Sequence, residues 1–457
     1  MGKTSLKDII KVSRELQSEC SKSTEELDFH KELEISSDSR DNFDLDKLFL
    51  ALKGDKFDGN KFALEAYNKG CRYFILSDNS INIPSDAIVF YADDTVLFFI
   101  KLAREYRKRF STAVISITGS CGKTTVKELI YLFLSEKYKV LKTEGNFNNE
   151  IGVPKTIFNL DGSYEIAIIE AGMNHQNELL RISEALESDT VIINNVEPVH
   201  IANLGSIENI AYAKSEIFNH AKENAIAVIN KNTNCVNILK KEAERNNIKN
   251  IIEADVKEII KKDDNRFEYR GIIFRHNLIG DFNIHNILSA LKTAELYNID
   301  LEKCTDILRN YKSQKNRMQI INIKGSNIIN DCYNSNPAAL KNMLKFLSQR
   351  RESKKIAVIG DMLETETEES SYHKYIGDFI NNLKNINTVI AVGKHSKYIY
   401  NTVNCEKYYF EDAESSIEKV HEFLKDDTAM LIKASLGMYF SVIIDSLNYD
   451  RKVSTDE

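Results

Sequence analysis

The residues of this chain best suited to chemistry lie in the run ISITGSCGKTTVKELI, Ile115 to Ile130, where two glycines precede a Lys-Thr pair. The preceding AVISIT (113–118) is a continuous apolar run of strand type, and after Thr124 the residues Val126, Leu129, Ile130, Phe133 and Leu134 keep helical spacing. A loop between a strand and a helix N-terminus presents free N–H groups and the positive end of the helix dipole, and so favours phosphate. The expected nucleotide loop is Gly119, Ser120, Cys121, Gly122, Lys123, Thr124 and Thr125. Its glycines let the backbone approach, Lys123 bridges the β- and γ-phosphates, and Thr124 offers a hydroxyl to magnesium. The common pattern G-x-x-x-x-G-K-[ST] wants a glycine where Ile117 stands, so the loop is a shortened form. Gly2-Lys3-Thr4-Ser5 carries the same letters with no strand before it and is set aside.

A second group points the same way. EIAIIEAGMNHQNEL ends a strand (165–171) with Glu170. A carboxylate at the C-terminal end of a central parallel strand lies where such sheets bind ligands, within reach of a magnesium ion at the γ-phosphate. A glutamate buried in a strand is costly unless something compensates its charge. TEGNFNNEIGVP (143–154) gathers Asn146, Asn148 and Asn149 among glycines, residues that cap, turn and donate hydrogen bonds toward a polar ligand.

Three stretches of chain must position these groups. In the first, residues 1–85, KLFLALKGDKFDGNKFALEAYNKGCRYFILSD reads as strand, Gly-Asp loop, helix and strand. In the second, 86–312, a helix near Thr95 to Lys108 leads into AVISIT, EIAIIEA, TVIINNV (190–196) and AIAVIN (225–230), which alternate with helical patterns. Apolar strands separated by helices predict a parallel sheet covered on both faces. RFEYRGIIFRH reads as a hairpin before a helix starting near Asn283. The third, 313–457, repeats the alternation with NIIND, KIAVIGD, TVIAVG and AMLIKAS; it reads as Rossmann-like α/β, without the G-x-G-x-x-G of a dinucleotide site. The fold class is therefore α/β, in three domains.

Composition narrows the function. The 457 residues are 42% hydrophobic and 28% charged, as in ordinary globular chains, and a net charge of -7 argues against a nucleic-acid binder. Seven scattered cysteines without a C-x-x-C pair suit reduced thiols in a cytoplasm. No apolar run is long enough to span a bilayer, and MGKTSLKDII lacks a signal-peptide core.

The short loop T-G-x-x-G-K-T-[ST] resembles the ATP loop of the Mur ligases and of their relatives the folylpolyglutamate synthases, which form amide bonds through acyl phosphates. The resemblance covers about residues 35 to 440. TEGNFNNEIGVP resembles the family's G-N-x-N-N-[DE]-I-G-x-P loop, and Glu170 sits in its magnesium motif, with Asn177 where a glycine is usual. His200 resembles the histidine that holds a second magnesium, and Lys214 in AKSEIF the lysine whose carbamate supports that ion. GDFNIHNILSALKTAE places Asn283 and Asn286 near the adenine, with Phe282 where the family has histidine. Arg317 resembles the arginine on the ATP phosphates and Asp331 the aspartate on the ribose, while Tyr333, Asn334 and Asn336 fit D-x-Y-N-[AS]-N-P. GDMLE (360–364) with His373 resembles G-D-M-x-E-L-G…H, Thr365 replacing a glycine. IKASLGM resembles K-G-S-R-x-M, with Ala434 and Leu436 replacing glycine and arginine. Ser39 and Arg40 occupy the D-[ST]-R motif of a uridine-nucleotide domain.

The resemblance implies an ATP-dependent ligase that joins D-alanyl-D-alanine to UDP-N-acetylmuramoyl-tripeptide for peptidoglycan synthesis. Its architecture would be an N-terminal domain for the UDP-sugar, a central ATP-binding domain and a C-terminal ligase domain. It implies catalytic roles for Lys123, Glu170, His200 and Lys214, with two magnesium ions held by Thr124, Glu170, His200 and the carbamate of Lys214. The peptide substrates would lie near Asn146, Asn148, Asn149, Tyr333, Asn334 and Asn336. A cytoplasmic monomer is expected.

Overall fold

In the computed structural model, which describes residues 2–54, 57–199, 201–363, 369–383 and 385–453, the strands form three six-stranded sheets, one three-stranded sheet and a two-stranded ribbon. Central in the chain is an all-parallel sheet in the order Val140–Lys142, Ile166–Glu170, Ala113–Thr118, Thr190–Ile193, Ile226–Asn230, Asn250–Ala254. Strand Ala113–Thr118 shows why its sequence is apolar throughout. Val114 packs into the cluster on one face, Ile115 and Ile117 into the cluster on the other, so both faces are covered. The phosphate-loop motif and Glu170 thus end neighbouring strands, which pair Glu170 with Ile117.

The N-terminal sheet runs Lys3–Ser5, Glu32–Ser36, Lys47–Leu50, Tyr73–Leu76, Ile88–Tyr91, Glu19–Cys20; its four middle strands are parallel and both edges antiparallel. Sequence periodicity gives no sign of the short edges; helix Leu6–Glu15 between them does show helical spacing, its Leu6, Ile9, Ile10 and Ser13 all buried. The discounted GKTS tetrapeptide is edge strand plus cap: the hydroxyl of Ser5 accepts from Asp8 N at 3.2 Å. Helix Thr95–Arg107 lies between this sheet and the central one, its Phe98, Phe99 and Leu102 sharing one buried cluster with Leu48, Ile75, Ile169 and Val191. Arg104 on that helix pairs with Glu15 at 2.5 Å and Glu184 at 2.6 Å, and the carboxyl of Glu15 is held down to about 2 by that guanidinium.

The C-terminal sheet runs Gln319–Ile323, Ser326–Asn330, Thr428–Lys433, Lys354–Gly360, Thr388–Val392, Glu406–Phe410, parallel except for its first strand. The hairpin read at RFEYRGIIFRH is present as Arg266–Tyr269 and Ile272–Arg275, extended to a third strand by Ile259–Asp263. Among the described residues no helix is long and apolar enough to cross a membrane.

Asn177, immediately before helix Glu178–Leu186, has φ of 69°. That is left-handed backbone, where glycine is strain-free and asparagine is the best-tolerated substitute. Its N–H donates to Glu216 Oε1 at 2.8 Å, and Leu180 N donates to the other oxygen at 3.3 Å. Asn177→Ala is expected to cost about 1 kcal/mol and lower the melting temperature, whereas Asn177→Gly leaves it level or raises it. Thermal unfolding of the three proteins checks this; an alanine variant as stable as the parent would show that the backbone relaxes.

Candidate functional site

The loop Gly119–Gly122 is fastened by the segment that follows the neighbouring strand. Cys121 N donates to Asn195 Oδ1 at 2.8 Å, and Cys121 O accepts from the side-chain amides of Asn194 and Asn195, each at 2.9 Å. Ser120 N donates to Asn195 O at 3.0 Å; the Ser120 hydroxyl accepts from Glu197 N at 2.8 Å and donates to Glu197 O at 3.1 Å. Gly122, at φ 78°, starts helix Lys123–Leu134, and a Cβ there would stand 2.4 Å from Asn286 Oδ1. Held this way, the loop leaves the first N–H groups of the helix without intrahelical acceptors, as an anion site requires. Lys123 Nζ donates to Gly119 O at 2.8 Å.

Glu170, 3% exposed, is surrounded by donors. The Thr124 hydroxyl donates to Oε2 at 3.0 Å, Asn148 Nδ2 donates to Oε1 at 2.9 Å, and Lys127 Nζ lies 3.7 Å from Oε2. Lys127 is itself buried, donates to Thr143 O at 2.7 Å and stands 3.3 Å from Glu128. A hydroxyl and a carboxylate in contact at the mouth of a phosphate loop form an oxygen donor pair of the kind magnesium selects.

These groups line a cavity of about 670 Å³ whose opposite wall comes from the C-terminal sheet. There the Arg317 guanidinium lies 3.7 Å from the ring centre of Tyr333. Asp331, at the end of strand Ser326–Asn330, accepts from Lys433 Nζ at 2.6 Å and from Met318 N at 3.2 Å. Lys433, 2% exposed, also donates to Asn334 O at 2.8 Å. Asn336 caps helix Pro337–Ser348, its oxygen accepting from Ala339 N at 2.9 Å.

Of the residues singled out in the sequence, Ser120 to Thr125, Asn146, Asn148, Asn149, Glu170, Asn286, Arg317, Asp331, Tyr333, Asn334 and Asn336 all border this cavity. Asn283 does not reach its surface: it is fully buried, donating to Ile279 O and accepting from Asn286, each at 2.7 Å. Asn149 borders the cavity with its oxygen taken up by Gly152 N at 2.8 Å. Lys214, on helix Ile207–Ser215, is 2% exposed, and burial lowers its amine to about 7, helped by the nearby charge of Lys123. Ser39 and Arg40 lie in the turn that follows strand Glu32–Ser36 of the N-terminal sheet and do not border this cavity; Ser39 donates to Glu65 at 3.2 Å and the exposed Arg40 pairs with Asp38 at 2.6 Å. His200, Glu364 and Thr365 lie outside the described residues.

The sequence assigned no role to Lys127 or the Asn194–Asn195 pair, and none to Lys433 beyond its place in the IKASLGM motif. Lys127 had a signal, since it follows Thr124 by three residues and shares its helix face. The substitution at Ala434 has a structural counterpart: a Cβ on Gly360 would lie 2.6 Å from the Ala434 methyl, so the facing glycine makes its room. His373 is fully buried, and its Nε2 accepts from Met362 N at 3.1 Å, which orders the turn after strand Lys354–Gly360.

Residues 117–294 match the Mur ligase middle domain and residues 316–436 the Mur ligase glutamate ligase domain. The chain belongs to the Mur ligase family. It is 31% identical over 425 residues to a UDP-N-acetylmuramoyl-tripeptide--D-alanyl-D-alanine ligase of Bacillus subtilis, covering 90% of this chain and 92% of that one. Among solved structures, MurF from Acinetobacter baumannii superposes with a TM-score of 0.84 at 22% identity, covering 98% and 99% of the two chains. MurF ligase from Thermotoga maritima in complex with ADP gives 0.77 at 24% identity, over 93% and 99%.

Removing one member of a buried ion pair strands the other's charge. Lys433→Met is therefore expected to destabilise the protein by about 3 kcal/mol, and adding Asp331→Asn should recover much of the loss. Denaturation of the single and double variants checks this. A double variant no better than the single would mean that packing around Lys433, not the pairing, carries the effect.

Proposed function

We propose that this protein is an ATP-dependent ligase that joins D-alanyl-D-alanine to UDP-N-acetylmuramoyl-tripeptide, giving ADP, phosphate and the pentapeptide nucleotide for peptidoglycan synthesis in the cytoplasm. The observation that carries this reading is the contact of Thr124 and Glu170 beside the phosphate loop, in a cavity that also gathers Arg317 and Asp331. Likeness along nearly the whole chain to ligases bearing that name supports the choice of substrates.

In the first step an oxygen of the tripeptide carboxylate attacks the γ-phosphorus, the bond to the β-γ bridging oxygen breaks, and ADP departs. A rotation of Lys123 from Gly119 O carries its ammonium onto the β- and γ-phosphates, where it offsets charge on the transferring group. Thr124 and Glu170 have the oxygen donors to hold magnesium, which when bound neutralises phosphate oxygens. In the second step the dipeptide amine attacks the acyl-phosphate carbon and loses a proton, and the tetrahedral intermediate expels phosphate to leave the amide. The cavity walls must keep water away from the acyl phosphate, a task for closure of the C-terminal sheet over the loop, with Arg317 at the phosphates and Asp331 at the ribose. Ser39 and Arg40 would bind the uridine nucleotide.

A carbamate on Lys214 belongs to the same reading. Carbon dioxide adds only to a neutral amine, and with its amine at about 7 Lys214 is substantially neutral at physiological pH, increasingly so as pH rises. Its carbamate would supply oxygen ligands for a second magnesium. With 13C-bicarbonate a carbamate carbon resonance is expected that grows as pH rises through 7 and is missing from Lys214→Met; a spectrum without it in the parent protein would remove the carbamate from the mechanism.

Phosphate release with magnesium, ATP, UDP-N-acetylmuramoyl-tripeptide and D-alanyl-D-alanine, omitting each in turn, tests the reaction. Release is expected only from the complete mixture, with the pentapeptide seen by mass. Lys123→Ala should lower kcat by about a hundredfold or more. Turnover with single amino acids in place of the dipeptide would reassign the substrate, and ATP binding without turnover would point to a regulator on a ligase fold.

A further inference from the structure

Lys127 is buried and does not border the cavity, so no substrate touches it. An apolar side chain of similar length would fill that space without the desolvation an ammonium carries. The amine is locked in place. Its Nζ donates to Thr143 O at 2.7 Å, while the Thr143 hydroxyl accepts from Glu170 N at 2.9 Å, so lysine, threonine and glutamate close one ring of contacts.

The charges around Lys127 alternate in sign. Its Nζ lies 3.7 Å from Glu170 Oε2 and 3.3 Å from Glu128 Oε1, and Glu128 Oε2 pairs with Lys142 Nζ at 2.5 Å. Glu128 shares the helix of Lys127, and Lys142 ends the edge strand Val140–Lys142. Two carboxylates and two ammoniums cancel. Lys127, Glu128 and Glu170 are all buried, where water screens such charges little. A divalent cation arriving at Glu170 therefore meets a carboxylate that is already balanced, with Lys123 adding positive charge at the cavity wall. The countercharge it needs is that of nucleotide phosphates, the anions a loop before a helix N-terminus favours.

We propose that Lys127 is a positioning residue acting through Glu170 as its resident counter-ion. It balances the carboxylate while no metal is bound, so that a divalent cation enters with the nucleotide rather than ahead of it. This assignment rests on the reading of the cavity as a magnesium-nucleotide site. Charge and orientation are separable here, because Glu170 keeps the Thr124 hydroxyl on Oε2 and the Asn148 amide on Oε1 when Lys127 is replaced. Loss of the amine removes a like charge from the neighbourhood of the metal and leaves those two donors in place.

Manganese(II) is the probe, on the full chain with and without ADP, read by water-proton relaxation enhancement, which separates protein-bound ion from free and nucleotide-bound ion. The parent is expected to bind the ion at least about tenfold more tightly with ADP than without it. Lys127→Met should tighten binding of the ion alone by about tenfold or more, and Lys127→Arg, which keeps the charge, should behave as the parent. Equal affinity of the parent with and without ADP would overturn the assignment, an arm that needs no variant to fold. Lys127→Met no tighter than the parent would overturn it too, as would an arginine variant that matches the methionine one. A parent protein that shows no enhancement even with ADP would overturn the nucleotide reading itself, and the assignment with it.

Discussion

A carboxylate taken out of water costs several kcal/mol unless its surroundings replace the lost hydration, and Glu170 is such a group at the end of a central strand. Two elements converge to compensate it: the helix after the phosphate loop supplies Thr124 and Lys127, and the asparagine loop supplies Asn148. The strand must end there, the helix must begin with its lysine and threonine facing that end, and the asparagine loop must fold across both. The parallel sheet makes this possible because its strands all end on the same side. A site that holds one buried anion among donors is also prepared to bring a phosphate chain to a carboxylate.

The same economy of contacts explains how departures from the family pattern are absorbed. Asn177 takes left-handed backbone that glycine would otherwise fill, and Ala434 fits because Gly360 opposite it has no side chain. Asp331 is not a free carboxylate waiting for a ribose. It is fixed by Lys433 and Met318 N, so its orientation is set by the C-terminal sheet before any nucleotide meets it. Arg317, stacked on Tyr333, is likewise pre-positioned by its own sheet. Preorganisation of this kind would let the proposed closure of one sheet over another assemble a complete site without reordering each side chain.

Much of the fold was legible because both faces of the inner strands are buried. The continuous apolar runs at Ala113–Thr118 and Thr190–Ile193 have no other use, and the helical spacing after Thr124 fixes the loop between them. The short edge strands Lys3–Ser5, Glu19–Cys20 and Val140–Lys142 were not legible, since two or three residues carry no periodicity. In the site, residues set by local motif could be read directly. Lys433, Asn194 and Asn195 act across distances that only the folded sheet supplies, and Asn283 shows the converse: its motif position suggests a ligand contact, while its amide is wholly engaged within the protein. Sequence separation hides the partner, so motif position alone does not tell a binding asparagine from one that braces its neighbour.

The proposed chemistry turns on a covalent acyl phosphate, which oxygen transfer reports most directly. With 18O in the terminal carboxylate of the tripeptide, attack on the γ-phosphorus leaves a labelled oxygen bridging carbon and phosphorus, and expulsion of phosphate carries it away. Mass analysis of the released phosphate should find one heavy oxygen in each molecule formed. Phosphate without label, in a mixture that still makes the pentapeptide, would mean that the carboxylate is activated by some other route and would contradict phosphoryl transfer to it by way of Lys123, Thr124 and Glu170.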